Sequence, residues 1–501
     1  MGRGDVDANR GPIPASAVAP TCYPDTMELD RDTCYRAVQS RDRRFDGRFF
    51  TGVKTTGIYC RPICPAMTPR PHNVEFYPCA AAAEQAGYRP CLRCRPETAP
   101  GTPAWRGSTA TVARALRLIE DGALDIGTVT ELAGRLGIGP RQLSRLFRAH
   151  LGASPVAVAQ TRRVHFARNL IEHTELPMSR IALAAGFGSL RRFNTLIKST
   201  FGGPPSGLRR RAETAAAAPS LTVRLAMRPP YDWDHLVDFL ARRAVTGIEE
   251  IRDGAYRRTV HWRGKPGVIA VRRGGRDHLE LVADLDGLDG AIALVARVRR
   301  MFDCDADPRA IGGHLQRDPL LAAAVHRRPG LRLPCAWSPW ELAVRAVIGQ
   351  RVSVSAATTI TGRLVQRCGP ALPVPCGGLT HLFPSPSQLM TAKLDGLGVD
   401  ARRIRTVQIL ARSVAQGEID LAGSANAGDL VARLAALSGI GPWTAQYVAM
   451  RGLGEPDAFP ADDLGLKKAV PDGKLRDRAE SWRPWRAYAA LHLWAALGDE
   501  R

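Results

Sequence analysis

The chain contains no apolar run of about 18 residues, the length a membrane-spanning helix requires, so no membrane span is expected. Its first residues lack the apolar core of a secretory leader, and export is not expected. Acidic residues are in short supply: 48 Asp and Glu stand against 70 Lys and Arg, a formal net charge of +22. Such an excess favours a polyanionic partner, nucleic acid foremost. An arginine-rich composition with no partner is the other reading of the same number. Cysteine is too sparse for a disulfide scaffold, with 11 in 501 residues, four of them at metal-binding spacing and the remainder odd. That pattern fits a reducing cytosol. A chain of this length calls for about three or four domains, and an apolar fraction of 45% can build their cores.

What is present concentrates near the end, in LSGIGPWTAQYVAMRGLGEPDAFPADD, Leu437 to Asp463. Gly439 and Gly441 allow a tight turn and close approach to a ligand. Pro442 suits the first turn of a helix, and free N–H groups there suit an anion such as a DNA phosphate. Trp443 and Tyr447, four residues apart, share one helical face. A short loop then ends in Asp462-Asp463. The stretch resembles the helix-hairpin-helix glycosylases, and among them the AlkA-type 3-methyladenine DNA glycosylases, over Leu221 to the C-terminus.

That resemblance implies extrusion of an alkylated nucleotide from the duplex. The cationic base, of the 3-methyladenine or 7-methylguanine type, would be held by Trp443, Tyr447 and Trp494. Asp463 would stabilise the sugar as the N-glycosidic bond breaks, with Asp462 the near alternative, and no cofactor is implied. Two adjacent carboxylates are expected to raise one pKa. Arg351, in Gly349-Gln350-Arg351, stands where the family carries an apolar wedge; filling the gap and contacting a phosphate both stay open. Ala495 replaces a tyrosine and is expected to widen the pocket. Trp443 stands where strand-nicking relatives have a lysine nucleophile, so a monofunctional enzyme leaving an abasic site is expected.

The second signal is TTGIYCRPICP followed by GYRPCLRC. Cys60, Cys64, Cys91 and Cys94 form C-x3-C, a 26-residue gap and C-x2-C. Two close pairs across a loop assemble a tetrahedral thiolate site, and soft thiolates select zinc. In a part of about sixty residues the metal would carry much of the folding energy. Spacing alone leaves a purely structural site. The surrounding words resemble the N-terminal domain of Ada-type methylation sensors, which implies that Cys60 is both zinc ligand and acceptor of a methyl group from a DNA methyl phosphotriester. Arg43, Arg44, Lys54 and Arg61 are candidate phosphate contacts or solvated surface charges.

Between these signals a unit recurs: TVTELAGRLGIGPRQLSRLFRAHLG and PMSRIALAAGFGSLRRFNTLIKSTFG. Each is an apolar helix, a glycine turn at Gly137 or Gly186, and a basic helix, the geometry of a helix-turn-helix. Leu143, Leu146, Phe147 and Leu151 face inward in the first unit, leaving Arg141, Gln142, Ser144 and Arg145 free. In the second, Phe193, Leu196 and Ile197 pack, leaving Ser189, Arg191, Arg192, Asn194 and Lys198. The pair resembles an AraC-type DNA-binding domain.

The expected chain is therefore multidomain and predominantly α with α+β parts. Residues 1–26 form a disordered tail, with Met27 an alternative start; 27–96 form a small zinc-bound α+β domain; 97–107 are a linker. Residues 108–211 form a double helix-turn-helix, 212–220 a second linker, 221–310 a small α+β subdomain and 311–501 an all-α helix-hairpin-helix glycosylase. The expected partners are alkylated and promoter double-stranded DNA, with RNA polymerase a further one, for a cytoplasmic, nucleoid-associated bacterial monomer. No Pro-Cys-His-Arg motif occurs, so repair of O6-methylguanine is not expected. The rival is a transcription regulator whose glycosylase half is inactive.

Overall fold

In the first domain, short β-rich words separated by turns build a four-stranded sheet, in the order Val74–Tyr77, Phe50–Val53, Ile58–Cys60, Arg89–Pro90. The structure, a computed structural model, describes residues 30–99, 110–209, 220–421, 427–470 and 473–499. The tail expected at 1–26 and most of both linkers lie outside them. Ile58–Cys60 runs parallel to Arg89–Pro90, with Tyr59 opposite Pro90. That register places Cys60 beside Cys91, so a backbone pairing brings the two cysteine pairs together. Glycine is required at position 52, where a Cβ would lie 2.9 Å from the rings of Tyr77 and Tyr88.

The second domain is helical and repeats. Helix Val129–Arg135, opened by a Thr128/Glu131 capping box, leads through Gly137 (φ 71°) into Pro140–Leu151. Helix Met178–Ala184 leads through Gly186 (φ 78°) into Leu190–Phe201. Both turn glycines adopt the left-handed conformation that side chains resist. The long helix Pro155–His173 joins the units and is buried along most of its length. The inward residues fall as the apolar spacing predicts: Leu143, Phe147, Phe193 and Ile197 are fully buried. Ser189 is not free, because its hydroxyl caps Leu190–Phe201 by accepting from Arg192 N at 3.2 Å.

A five-stranded antiparallel sheet follows, ordered Leu221–Ala226, His278–Leu285, Lys265–Arg273, Ala255–Trp262, Glu249–Arg252, with helices Trp233–Ala241 and Ala291–Met301. Its apolar face merges with the second helix-turn-helix unit into one core that holds Ile171, Ile181 and Phe193 together with Val223, Ile269 and Leu281. The remainder is a helical body in two lobes, one around Trp482 and Tyr488, the other around Val344, Leu410 and Val448. Expected to be helical throughout, it also carries an antiparallel hairpin, Ala371–Cys376 with Leu379–His381. Prolines at 373 and 375 forbid a helix there, and Gly377-Gly378 supply the turn. Helix Pro339–Ile348 is bolted to the sheet by a buried ion pair, Arg258 to Glu341 at 2.7 Å, and a part-buried one, Arg345 to Glu249 at 3.0 Å.

The first domain touches both neighbours. Tyr59 hydroxyl lies 3.0 Å from His165 Nε2 and donates to Glu84 at 2.9 Å, while Arg168 reaches Glu97 at 3.1 Å. On its other side Arg48 pairs with Asp307 at 3.4 Å. Helix Ala110–Glu120 meets the helical body, where Arg117 Nη1 donates to Leu453 O at 3.2 Å. Among the described residues no helix is long and apolar enough to cross a membrane.

Candidate active site and metal centre

The hairpin expected around Gly439 is formed. Gly439 has φ 89°, and a Cβ there would fall 1.9 Å from Thr406 Oγ1, so no other residue fits. Gly441 is the N-cap of helix Pro442–Gly452, with Pro442 at its first position. Trp443 and Tyr447 project from that helix and stack, their ring centroids 5.1 Å apart and their planes within 9°.

Asp463 is held from four directions. Its Oδ2 accepts from Trp443 Nε1 at 2.9 Å, and its Oδ1 accepts from Trp494 Nε1 at 2.9 Å. Oδ1 also accepts from the backbone N–H of Gly465 at 2.9 Å and Leu466 at 3.1 Å, which makes Asp463 the N-cap of helix Leu464–Ala469. Two indoles and a helix start thus fix one half-buried carboxylate. An ionised carboxylate only accepts hydrogen bonds, and this one meets four donors. Asp462 turns the other way, to Lys467 at 3.2 Å and Arg476 at 3.0 Å. The hydrogen bond from Lys467 and the guanidinium of Arg476 hold its carboxyl below the usual range. The expectation that the pair would raise a pKa therefore fails for Asp462, whose neighbours are cations.

Tyr447 is buttressed from behind. Its hydroxyl accepts from Arg451 Nη1 at 2.5 Å, and the guanidinia of Arg451 and Arg243 lie 4.6 and 3.7 Å from the ring centre of Phe239. Burial alone would raise the Tyr447 pKa, but Arg451 and Arg243 outweigh it and lower the value. Phe239 and Arg243 come from the α+β subdomain, for which no contribution to a site was expected; no sequence pattern marks them. Ala495 is buried one position past Trp494.

Arg351 has φ 56°, a left-handed conformation that a side chain resists, and it is exposed. Such strain costs of order 1–3 kcal/mol and persists where neighbours impose it. Gln350 imposes it in part, donating to Gly439 O at 3.0 Å and Thr444 Oγ1 at 3.1 Å, so the loop is tied to the hairpin. Leu464, exposed at 76%, stands directly after Asp463. Neither Gln350 nor Leu464 stood out by residue type alone.

In the first domain Cys60, Cys64, Cys91 and Cys94 gather with all four sulfurs within 4.8 Å of one another. Tetrahedral zinc with bonds of about 2.3 Å needs sulfurs about 3.8 Å apart, so the cluster fits that ion. Arg61 N donates to Cys94 Sγ at 3.4 Å, the outer hydrogen bond expected around a thiolate ligand. The Arg61 side chain is not available to a phosphate: it is 12% exposed and pairs with Asp46, Nε to Oδ1 at 2.7 Å. Arg44 pairs with Asp42, and Lys54 with Glu75 at 3.1 Å. On the helix-turn-helix units Arg141, Gln142, Arg145, Arg191 and Arg192 are exposed. Arg141, Ser144, Arg145 and Arg148 line an open groove of about 450 Å³.

The fold and this pair of sites define a class, a helix-hairpin-helix glycosylase joined to a metal-binding domain and a helix-turn-helix. Family models agree segment by segment. "Metal binding domain of Ada" matches residues 33–97, "Helix-turn-helix domain" 132–211, "AlkA N-terminal domain" 222–338 and "HhH-GPD superfamily base excision DNA repair protein" 344–481. A probable bifunctional transcriptional activator/DNA repair enzyme AlkA of Mycobacterium tuberculosis is 44% identical over 94% of this chain and 97% of its own length. DNA-3-methyladenine glycosylase 2 of Escherichia coli is 35% identical over 55% of this chain and 97% of its own. The bifunctional transcriptional activator/DNA repair enzyme Ada of the same organism is 36% identical over 35% and 48%. The chain belongs to the family of bifunctional transcriptional activator/DNA repair enzymes of the AlkA type.

Proposed function

We propose that the chain excises alkylated bases from DNA and also accepts methyl groups from methyl phosphotriesters on Cys60, joining repair to transcriptional activation. The observation that carries the first activity is the carboxylate of Asp463 held between the indoles of Trp443 and Trp494. A 3-methyladenine or 7-methylguanine is cationic and is attracted to aromatic faces. As its bond to the sugar breaks, positive charge grows on the sugar, and a carboxylate fixed in advance stabilises it without reorganising. Oδ1 is occupied by three donors, so Oδ2 is the oxygen left to face the sugar or orient water. The hairpin N–H groups around Gly439 and Gly441 hold a phosphate of the extruded strand. Trp443 fills the place of a lysine nucleophile, so the product is an abasic site, and borohydride traps no adduct.

On the first domain the four cysteines would hold zinc, and the ion would keep the sulfurs as thiolates, the nucleophilic form. Cys60 Sγ attacks the methyl carbon, the C–O bond breaks, and its electron pair stays on the phosphate oxygen. The phosphotriester becomes an ordinary diester, and the thiolate becomes a thioether. Loss of one negative charge beside DNA tightens binding, so Arg141, Gln142, Arg145, Arg191 and Arg192 engage promoter DNA more firmly. RNA polymerase as a partner, a monomeric state and a cytoplasmic place belong to the same reading. Base release from alkylated duplexes by wild type and not by Asp463→Asn tests the glycosylase; equal release by both leaves only a regulator. A gain of one methyl group in chain mass, absent in Cys60→Ala, tests the acceptor.

A further inference from the structure

An extruded base leaves its former partner unpaired across a gap, and whatever side chain enters that gap meets the partner's exposed edge. Two residues past Arg351, Ser353 caps helix Val354–Cys368, and the chain leading into Arg351 is fixed by two sets of hydrogen bonds. Gln350 ties it to the hairpin through Gly439 O and Thr444 Oγ1, and Thr444 is the neighbour of Trp443. Arg403 Nη1 donates to Ile348 O at 2.9 Å and to Gln350 O at 3.0 Å. Directly after those anchors Arg351 stands at φ 56° with its side chain exposed, and no described residue pairs with its guanidinium. Anchors that impose a left-handed backbone on an arginine aim it; a phosphate contact from a long flexible cation needs no such constraint.

Resting on the glycosylase reading above, we propose that Arg351 reads the estranged partner base, selecting cytosine, and so directs excision towards methylated guanines. Guanidinium carries donors only, in a planar fork. Of the four bases, cytosine alone presents two adjacent acceptors, N3 and O2, on the edge freed when its partner leaves. Thymine separates its two acceptors with an N–H, adenine offers one acceptor beside a donor, and guanine offers one beside two donors. An apolar wedge fills the same gap without distinguishing these edges. The arginine therefore adds partner discrimination to gap filling, and cytosine is the partner of guanine lesions.

The test is single-turnover release of 7-methylguanine placed opposite each of the four bases by wild type, Arg351→Leu and Arg351→Lys. Dividing the wild-type rate by the Arg351→Leu rate, partner by partner, cancels the ease of opening each pair. One bidentate contact predicts a quotient about tenfold larger opposite cytosine than opposite thymine or adenine. Lysine, lacking the fork, is expected to behave like leucine. A quotient equal for all four partners overturns the proposal and marks Arg351 as a phosphate contact, with the glycosylase reading intact. A cytosine bias retained by Arg351→Lys also overturns it. Absence of release opposite every base by the wild type removes the glycosylase reading and this proposal with it.

Discussion

Replacing Asp463 by asparagine exchanges one carboxylate oxygen for an amide nitrogen and removes a charge. The remaining oxygen can keep the bonds from Gly465 N, Leu466 N and Trp494 Nε1. The new nitrogen then faces Trp443 Nε1, donor to donor, where Oδ2 now accepts at 2.9 Å. Leaving that half-buried indole N–H without an acceptor costs about 1–2 kcal/mol, while asparagine caps a helix about as well as aspartate does. The fold should survive with a melting temperature a few degrees lower, at about 2–4 °C per kcal/mol for a domain of this size. The chemistry should not survive as well. Removing one preorganised electrostatic contact typically slows an enzyme roughly 100- to 1,000-fold, about 2.7–4 kcal/mol of barrier. The assay is single-turnover release of 7-methylguanine from an alkylated duplex, with thermal melting measured alongside. A variant releasing base within about threefold of wild type, a barrier change of about 0.7 kcal/mol, would refute the assignment of the carboxylate.

Four further outcomes are expected. Cys60→Ala should abolish the gain of a methyl group yet leave base release unchanged, because Cys60 and Asp463 sit in separate domains; mass spectrometry and the release assay read the two. Chelation of zinc should lower the melting temperature of the first domain, since the Cys60–Cys64–Cys91–Cys94 cluster stands where a larger core would otherwise be needed. Asp303 should give stability an unusual pH slope: burial raises its pKa from 3.8 to about 7, against the opposing pull of Arg332, Leu333 N and Tyr488. The folded form keeps a proton that the unfolded chain has lost, so this contribution is full below about pH 4 and is lost as pH rises to about 7, some 4 kcal/mol in all. Melting of wild type against Asp303→Asn across that window should diverge, and parallel curves would refute it. Finally, Gly439→Ala should destabilise by about 2–4 kcal/mol, since its methyl meets Thr406 Oγ1 at 1.9 Å and its φ is 89°; adding Thr406→Ala should restore part of the loss, as denaturant unfolding would show.

Much of the architecture was legible in the sequence because it is local. Glycine turns at Gly137, Gly186 and Gly439, the Trp443/Tyr447 spacing and the paired cysteines each state their geometry within a few residues. The parallel register that sets Cys60 against Cys91 could not be read, since strand pairing across thirty residues leaves no periodic trace. The same holds for Phe239 and Arg243 behind Tyr447, which arrive from another subdomain. Charge misled at Arg61: a basic residue next to Cys60 looks like a phosphate contact, but a buried acid, Asp46, fifteen residues earlier takes it. The adjacent Asp462 and Asp463 look equivalent as letters. Only the folded loop sends one to two tryptophans and the other to a lysine and an arginine.

The second helix-turn-helix unit and the sheet that follows it share a single apolar interior, with Phe193 and Ile181 in the same cluster as Val223 and Leu281. A cut in the stretch between them would leave each fragment with a greasy face and nothing to cover it. The polypeptide that looks like three borrowed modules strung together is, in its middle, joined through one apolar cluster. Transplanting its helix-turn-helix units or its glycosylase half alone would expose apolar residues that the other now covers.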